Sequence, residues 1–202
     1  MNPDSQHQPR NKWFSISNIA AVAMAAFVIA MFFSPELKGK VIQGLMRVGL
    51  FQPDVKPDVN VKSSASAAGD AAFRDKNGVV VQLSDLKGKV VFLNFWASWC
   101  PPCIAEMPSI DKLHTKYKNQ DGIVFLMVDV DGKIESSLDF MRKRDFKLPV
   151  YVPASATPVS YFSGSMPTTV ILNKSGDIVF QHIGAADYTS SHISTLIDKL
   201  LL

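Results

Sequence analysis

The chain has two cysteines, three positions apart in Trp99-Cys100-Pro101-Pro102-Cys103. Thiols at that spacing can close into a disulfide and reopen while the backbone stays in place. Cys100 is expected just before a helix, where unpaired N–H groups and the positive end of the helix dipole favour a thiolate. The thiolate is the reactive form, and such positions bring a cysteine pKa from ~8.5 down to roughly 3.5–7.5. Pro101 and Pro102 suit a first helical turn, where a missing N–H matters little, and they stiffen the loop. The first cysteine is then the exposed nucleophile and the second attacks the resulting mixed disulfide.

Other uses of the pair fit less well. A structural zinc site needs further Cys or His ligands, and His7, His114, His182 and His192 form no pair at metal spacing. A purely structural disulfide would close too short a loop to constrain the unfolded chain much. An inert, buried, reduced pair sits poorly beside Trp99 and two prolines.

The elements that must position the pair are legible on either side. Lys89–Phe95 reads as a buried strand and Ile104–Lys118 has helical spacing. Phe73–Leu83 reads as a hairpin around Asn77-Gly78, and Ile123–Val130 as a continuous apolar strand covered on both faces. Ile134–Lys143 is helical, Pro149–Val152 a short edge-like strand, and Thr157–Phe162 one or two helical turns. Thr168–Asn173 and Ile178–Ile183 flank the turn Lys174-Ser175-Gly176-Asp177. A last helix over Ser190–Leu202 is capped by Thr189 or Ser190. The expectation is one α/β domain over residues 71–202, a central mixed sheet with helices on both faces.

The front of the chain is different material. Ile19–Phe33 is wholly apolar, with Arg10 and Lys12 before it, and a helix over residues 16–33 spans ~27 Å, close to a hydrocarbon core of ~30 Å. A cleaved signal peptide has a similar outline. Its candidate site Ala21-Val22-Ala23 lies inside the apolar run, however, so an uncleaved transmembrane anchor is expected. Residues 1–15 become a cytoplasmic tail and 34–70 a juxtamembrane segment and linker. Leu37, Val41, Leu45 and Val48 recur at helical spacing, which fits an amphipathic helix at the bilayer surface or a plain extension of the anchor. Gln52–Asp70 has no apolar period and reads as a mobile linker. Lys38, Lys40 and Arg47 follow the span, so the positive-inside count does not fix its orientation.

Lys87–Cys103, followed by Glu106 and Pro108, resembles the membrane-anchored thiol–disulfide oxidoreductases of the TlpA/ResA type, within the thioredoxin superfamily. Phe73–Gly78 and Val81–Leu86 are similar to that family's leading hairpin, and Ser165–Leu172 to its cis-proline loop and following strand. The likeness spans about residues 71–202. It implies a thioredoxin-like fold with an added N-terminal hairpin, a cis Met166–Pro167 bond beside the cysteines, and Met166 backbone groups free to pair with substrate. It also implies a domain facing the periplasm or cell exterior. Trp96 and Trp99 would shield the pair, Trp96 as core and Trp99 as the more exposed.

Thioredoxin has an aspartate at the place of Asn94, which cannot titrate, and ResA-like proteins tie cysteine acidity to a glutamate at the place of Glu106. Glu106 lies one helical turn after Cys103. Its position alone equally allows a solvated carboxylate; the resemblance implies a proton handler. Net charge is +3, and no base-reading motif or phosphate-cradling glycine loop is present. Nucleic acid, nucleotide cofactors and metals are therefore not expected. The expected partners are disulfide-containing proteins and a membrane electron donor. A reductase, with apocytochrome c as one implied substrate, competes with an oxidase or isomerase and with a non-catalytic redox-sensitive adaptor.

Overall fold

The computed structural model describes residues 16–47 and 69–202. The expected tail, Val48 and all but the last two residues of the linker lie outside the described residues. Seven strands form one sheet: β1 (Ala72–Asp75), β2 (Val80–Gln82), β3 (Val90–Trp96), β4 (Ile123–Asp129), β5 (Val150–Pro153), β6 (Thr168–Leu172) and β7 (Ile178–Ile183). Their order is β2-β1-β5-β4-β3-β6-β7. β3–β4 and β4–β5 are parallel and the other pairs antiparallel, so the sheet is mixed as expected.

β3 lies between β4 and β6, and all seven of its residues are buried. Its strict alternation divides the core. Val90, Phe92 and Trp96 face α3 (Pro101–Tyr117), α4 (Ile134–Lys143) and α5 (Ser191–Leu201). Val91, Leu93 and Phe95 face the opposite way, where a 3-10 helix (Leu83–Leu86) and the aromatic rings of Tyr161 and Phe162 cover them. Pro158–Phe162 makes a single hydrogen-bonded turn, with Tyr161 and Phe162 both donating to the Pro158 carbonyl.

The turns follow side-chain chemistry. Asp75 Oδ1 accepts from the Asn77 and Val79 amides while Gly78 supplies a φ of +83°. Asn173 Oδ1 does the same for Ser175 and Asp177 ahead of β7. Ser190 holds the N-cap position of α5 but makes no side-chain capping bond.

One strand assignment is corrected. The Pro149–Val152 segment, expected to be edge-like, becomes β5 inside the sheet, because β1 of the leading hairpin pairs along its outer side. The edges are β2 and β7.

Before the sheet come α1 (Ile16–Phe33) and α2 (Pro35–Arg47). Ser34 Oγ accepts from the Leu37 amide and Pro35 opens the helix, so α2 starts anew. The two helices meet at a bend of 103°, which removes the plain-extension reading of 34–47. No single described helix is long and apolar enough to cross a membrane; the bent pair reaches that length and composition together.

On the α3 face Phe92 stacks on Phe125 at 5.0 Å and meets Tyr188 edge-on at 5.4 Å. Phe92→Ala should lower the unfolding free energy by about 3–5 kcal/mol, the usual result of emptying a packed aromatic site. Urea denaturation of the oxidised protein measures it.

Candidate active site

The first turn of α3 follows directly from the end of β3. Trp96 ends the strand, Ala97–Trp99 turn the chain, and Cys100 is the N-cap with extended backbone angles. The Cys103 amide donates to Cys100 Sγ at 3.3 Å, and the Ile104 amide donates to the Cys100 carbonyl at 3.0 Å. Pro101 and Pro102 have no N–H to offer. The Cys103 amide is therefore the one first-turn backbone donor that reaches the Cys100 sulfur. Cys100 and Cys103 form a disulfide, with Cys100 4% and Cys103 0% exposed, so the first cysteine, expected to be exposed, is buried in the oxidised protein. Such a pair can exchange two electrons with another dithiol.

Beneath the disulfide lies a polar network in the core. Glu106 is fully buried, so the solvated-carboxylate reading is overturned. Asn94 Nδ2 donates to Glu106 Oε1 and to Thr169 Oγ1, both at 2.8 Å. The Ala186 amide donates to Glu106 Oε2 at 3.3 Å. The Tyr188 hydroxyl donates to Thr169 Oγ1 at 2.6 Å. Burial pushes the Glu106 carboxyl from 4.5 up to about 8, against the opposing pull of the Asn94 and Ala186 donors. Burial, then the nearby Glu106 charge, raises the Tyr188 phenol. The site thus keeps a carboxylic acid neutral at pH 7.

Sequence reasoning found Asn94 and Glu106 but missed Thr169, Tyr188 and the Ala186 amide. Thr169 becomes visible once β3 and β6 are paired, since it lies opposite Asn94 in the register. Nothing in the local sequence marks Tyr188, which arrives from the loop before α5.

The Met166–Pro167 bond is cis, as the resemblance implied. The Gly184 amide donates to the Pro167 carbonyl at 2.8 Å and ties this loop to the end of β7. Met166, Pro167 and Pro102 line one groove, so the proline loop and the start of α3 share a surface. Trp99 is 53% exposed and donates through Nε1 to Asp131 Oδ2 at 2.7 Å. Trp96 is wholly buried and packs against Phe140 at 5.3 Å, a core residue as expected. Among the described residues no cluster of three or more His, Cys, Asp or Glu could hold a metal.

A disulfide at a helix start, a cis-proline loop beside it and a mixed sheet beneath define a thioredoxin-like thiol–disulfide oxidoreductase. Comparison with known proteins agrees. The Redoxin profile matches residues 54–197. The chain is 35% identical over 127 residues to the thiol-disulfide oxidoreductase ResA of Bacillus cereus, covering 62% of this chain and 72% of that protein. It is 33% identical over 176 residues to ResA of Oceanobacillus iheyensis, covering 87% and 83%. Among solved structures, a Chlorobium tepidum protein assigned as thiol:disulfide interchange protein DsbE aligns with a TM-score of 0.59 and 32% identity, covering 70% and 98%. The pneumococcal exposed lipoprotein thioredoxin Etrx1 aligns with a TM-score of 0.53 and 31% identity, covering 65% and 99%. The chain belongs to the Redoxin family, among its ResA/TlpA-like protein disulfide oxidoreductases.

The buried acid makes stability depend on pH. The folded state holds the Glu106 proton up to about pH 8, whereas the unfolded chain releases it near 4.5. Between those values the unfolded state binds fewer protons, so the contribution of Glu106 to stability falls as pH rises. Glu106→Gln removes that slope. Relative to wild type, the variant should gain roughly 3–5 kcal/mol between pH 4.5 and 8.5, at ~1.4 kcal/mol per unit. Urea melts at the two pH values test this, and a difference that does not change with pH would contradict it.

Proposed function

We propose that the protein is a membrane-tethered reductase of protein disulfides outside the cytoplasm. Residues 16–33 anchor it, 34–70 tether it and 71–202 carry the chemistry. The observation that carries the direction is the donor set at Cys100. A strong oxidant owes its potential to a stabilised reduced form. Here Pro102 at the second helical position withholds its amide from the sulfur and leaves the single bond from Cys103. The Cys100 thiolate is then only moderately stabilised, and the dithiol gives up its electrons readily.

In the forward reaction the Cys100 thiolate attacks a substrate disulfide. A mixed disulfide forms, and the first substrate thiolate leaves and takes a proton. Once the Glu106 carboxyl has released its own proton to solvent, it accepts the Cys103 proton, and the Cys103 thiolate attacks Cys100 Sγ. The second substrate sulfur departs as a thiolate and is protonated, leaving the Cys100–Cys103 disulfide. Two electrons have passed to the substrate. A carboxyl raised by burial to about 8 is a better proton acceptor than an ordinary carboxylate, which supports this role for Glu106. Met166 presents backbone groups to an extended substrate beside Pro167, and Trp99 forms an exposed rim. A membrane protein returns the electrons, and the resemblance favours apocytochrome c cysteines as substrate. No cofactor takes part.

Equilibration with thiol redox buffers should place the pair near −270 mV, in the thioredoxin range. A potential above about −150 mV would reverse the direction and make the protein an oxidase. In cells, Cys103→Ser should hold substrates on Cys100 as mixed disulfides. Recovery of apocytochrome c would assign the maturation role, whereas a broad set of unrelated proteins would assign a general reductase.

A further inference from the structure

Helix α2 is seated on the start of the active-site helix. A Cβ built at Gly39 would lie 2.9 Å from Ile104 Cγ2, 3.1 Å from Ile104 Cβ and 3.2 Å from the Pro101 carbonyl oxygen. Only a glycine lets the backbone approach this closely. Beyond Gly39, Glu36 on α2 pairs with Arg144 just past α4. The Arg144 guanidinium in turn lies 3.8 Å above the Phe140 ring, which packs on Trp96. The helix is thus held at two points, one of them on the first turn of α3.

Its next turns line a groove. Ile42 and Leu45 face Pro102, Met166, Pro167 and Ile183 across a cavity of about 440 Å³. The lining is apolar, and Leu45 and Ile183 are exposed at 42% and 54%. Its polar exception is His182, whose Nε2 is buried with no hydrogen-bond partner. Burial lowers the His182 pKa against the opposing pull of a backbone hydrogen bond to Ala185, which favours the neutral imidazole.

We propose that α2 is one wall of the substrate groove, with Ile42 and Leu45 as specificity residues. The occupant is an extended apolar segment flanking a cysteine of a protein disulfide. This rests on the reductase reading and extends it. The groove is continuous with the redox site, since Pro102 immediately precedes Cys103 and Met166 precedes the cis proline. An extended chain laid along it brings apolar side chains to Ile42, Leu45 and Ile183. Preference for apolar sequence thus comes from a helix that lies outside the sheet domain.

The test uses the full chain in detergent micelles and two intermolecularly disulfide-bonded peptides. One carries Leu and Phe beside its cysteine, the other Gly and Ser. The readout is the ratio of kcat/KM for the two. Wild type should favour the apolar peptide by about tenfold or more, the factor expected from burying one large side chain. Ile42→Ser with Leu45→Ser should bring that ratio close to one, and so should Gly39→Leu, which unseats the helix. Ile42→Val with Leu45→Met should keep it. Loss of folding lowers both values together and does not collapse the ratio selectively. A wild-type ratio near one, or a serine variant with the wild-type ratio, overturns the proposal. If serine substitution speeds both peptides, α2 is a cover and the groove assignment falls. Failure of wild type to reduce either peptide would instead sink the reductase reading.

Discussion

Burying the Glu106 carboxyl without burying its charge is the constraint that organises this site. Water would keep the group ionised. The core denies it water and offers two donors, Asn94 Nδ2 and the Ala186 amide. Desolvation outweighs them, so the proton stays. The surrounding structure exists to make that arrangement tolerable. β3 places Asn94 beneath α3, β6 places Thr169 opposite Asn94, and the loop before α5 brings in both Ala186 and Tyr188. Three separate parts of the chain converge on one proton.

The same economy of donors governs the sulfur end. A helix start ordinarily presents several free amides to whatever occupies its N-cap. Pro102 reduces that supply at Cys100, so one backbone bond and the helix dipole remain. The cysteine is activated enough to attack, while its thiolate is not so stabilised that electrons are held back. Glu106 and Pro102 thus act on opposite ends of one dithiol, the first through proton affinity and the second through donor count.

Much of this was legible in the sequence because it is local. The cysteine spacing, the strand before it, the helix after it and the Asn77-Gly78 and Lys174–Asp177 turns lie within short windows. The cis proline and Glu106 came through family resemblance, since neither is marked by periodicity. What remained hidden is non-local. β5 reads as an edge strand until β1, from more than seventy residues earlier in the chain, pairs along it. Thr169 is one of two adjacent threonines until the register sets it against Asn94. Leu37, Val41, Leu45 and Val48 at helical spacing allow an amphipathic helix or an extension of the anchor, and hydropathy does not say what such a helix covers. The close approach of Gly39 to Ile104 shows that the partner is the active-site helix.

The central claim is that a neutral carboxylic acid lies beneath the cysteine pair at physiological pH. The most direct test follows the side-chain carboxyl carbon of Glu106 by NMR in uniformly labelled, oxidised protein, with Glu106→Gln identifying its resonance. The account predicts a single titration with its midpoint at about 8. A midpoint near 4.5, the ordinary value, would show a carboxylate already ionised at neutral pH and would contradict it.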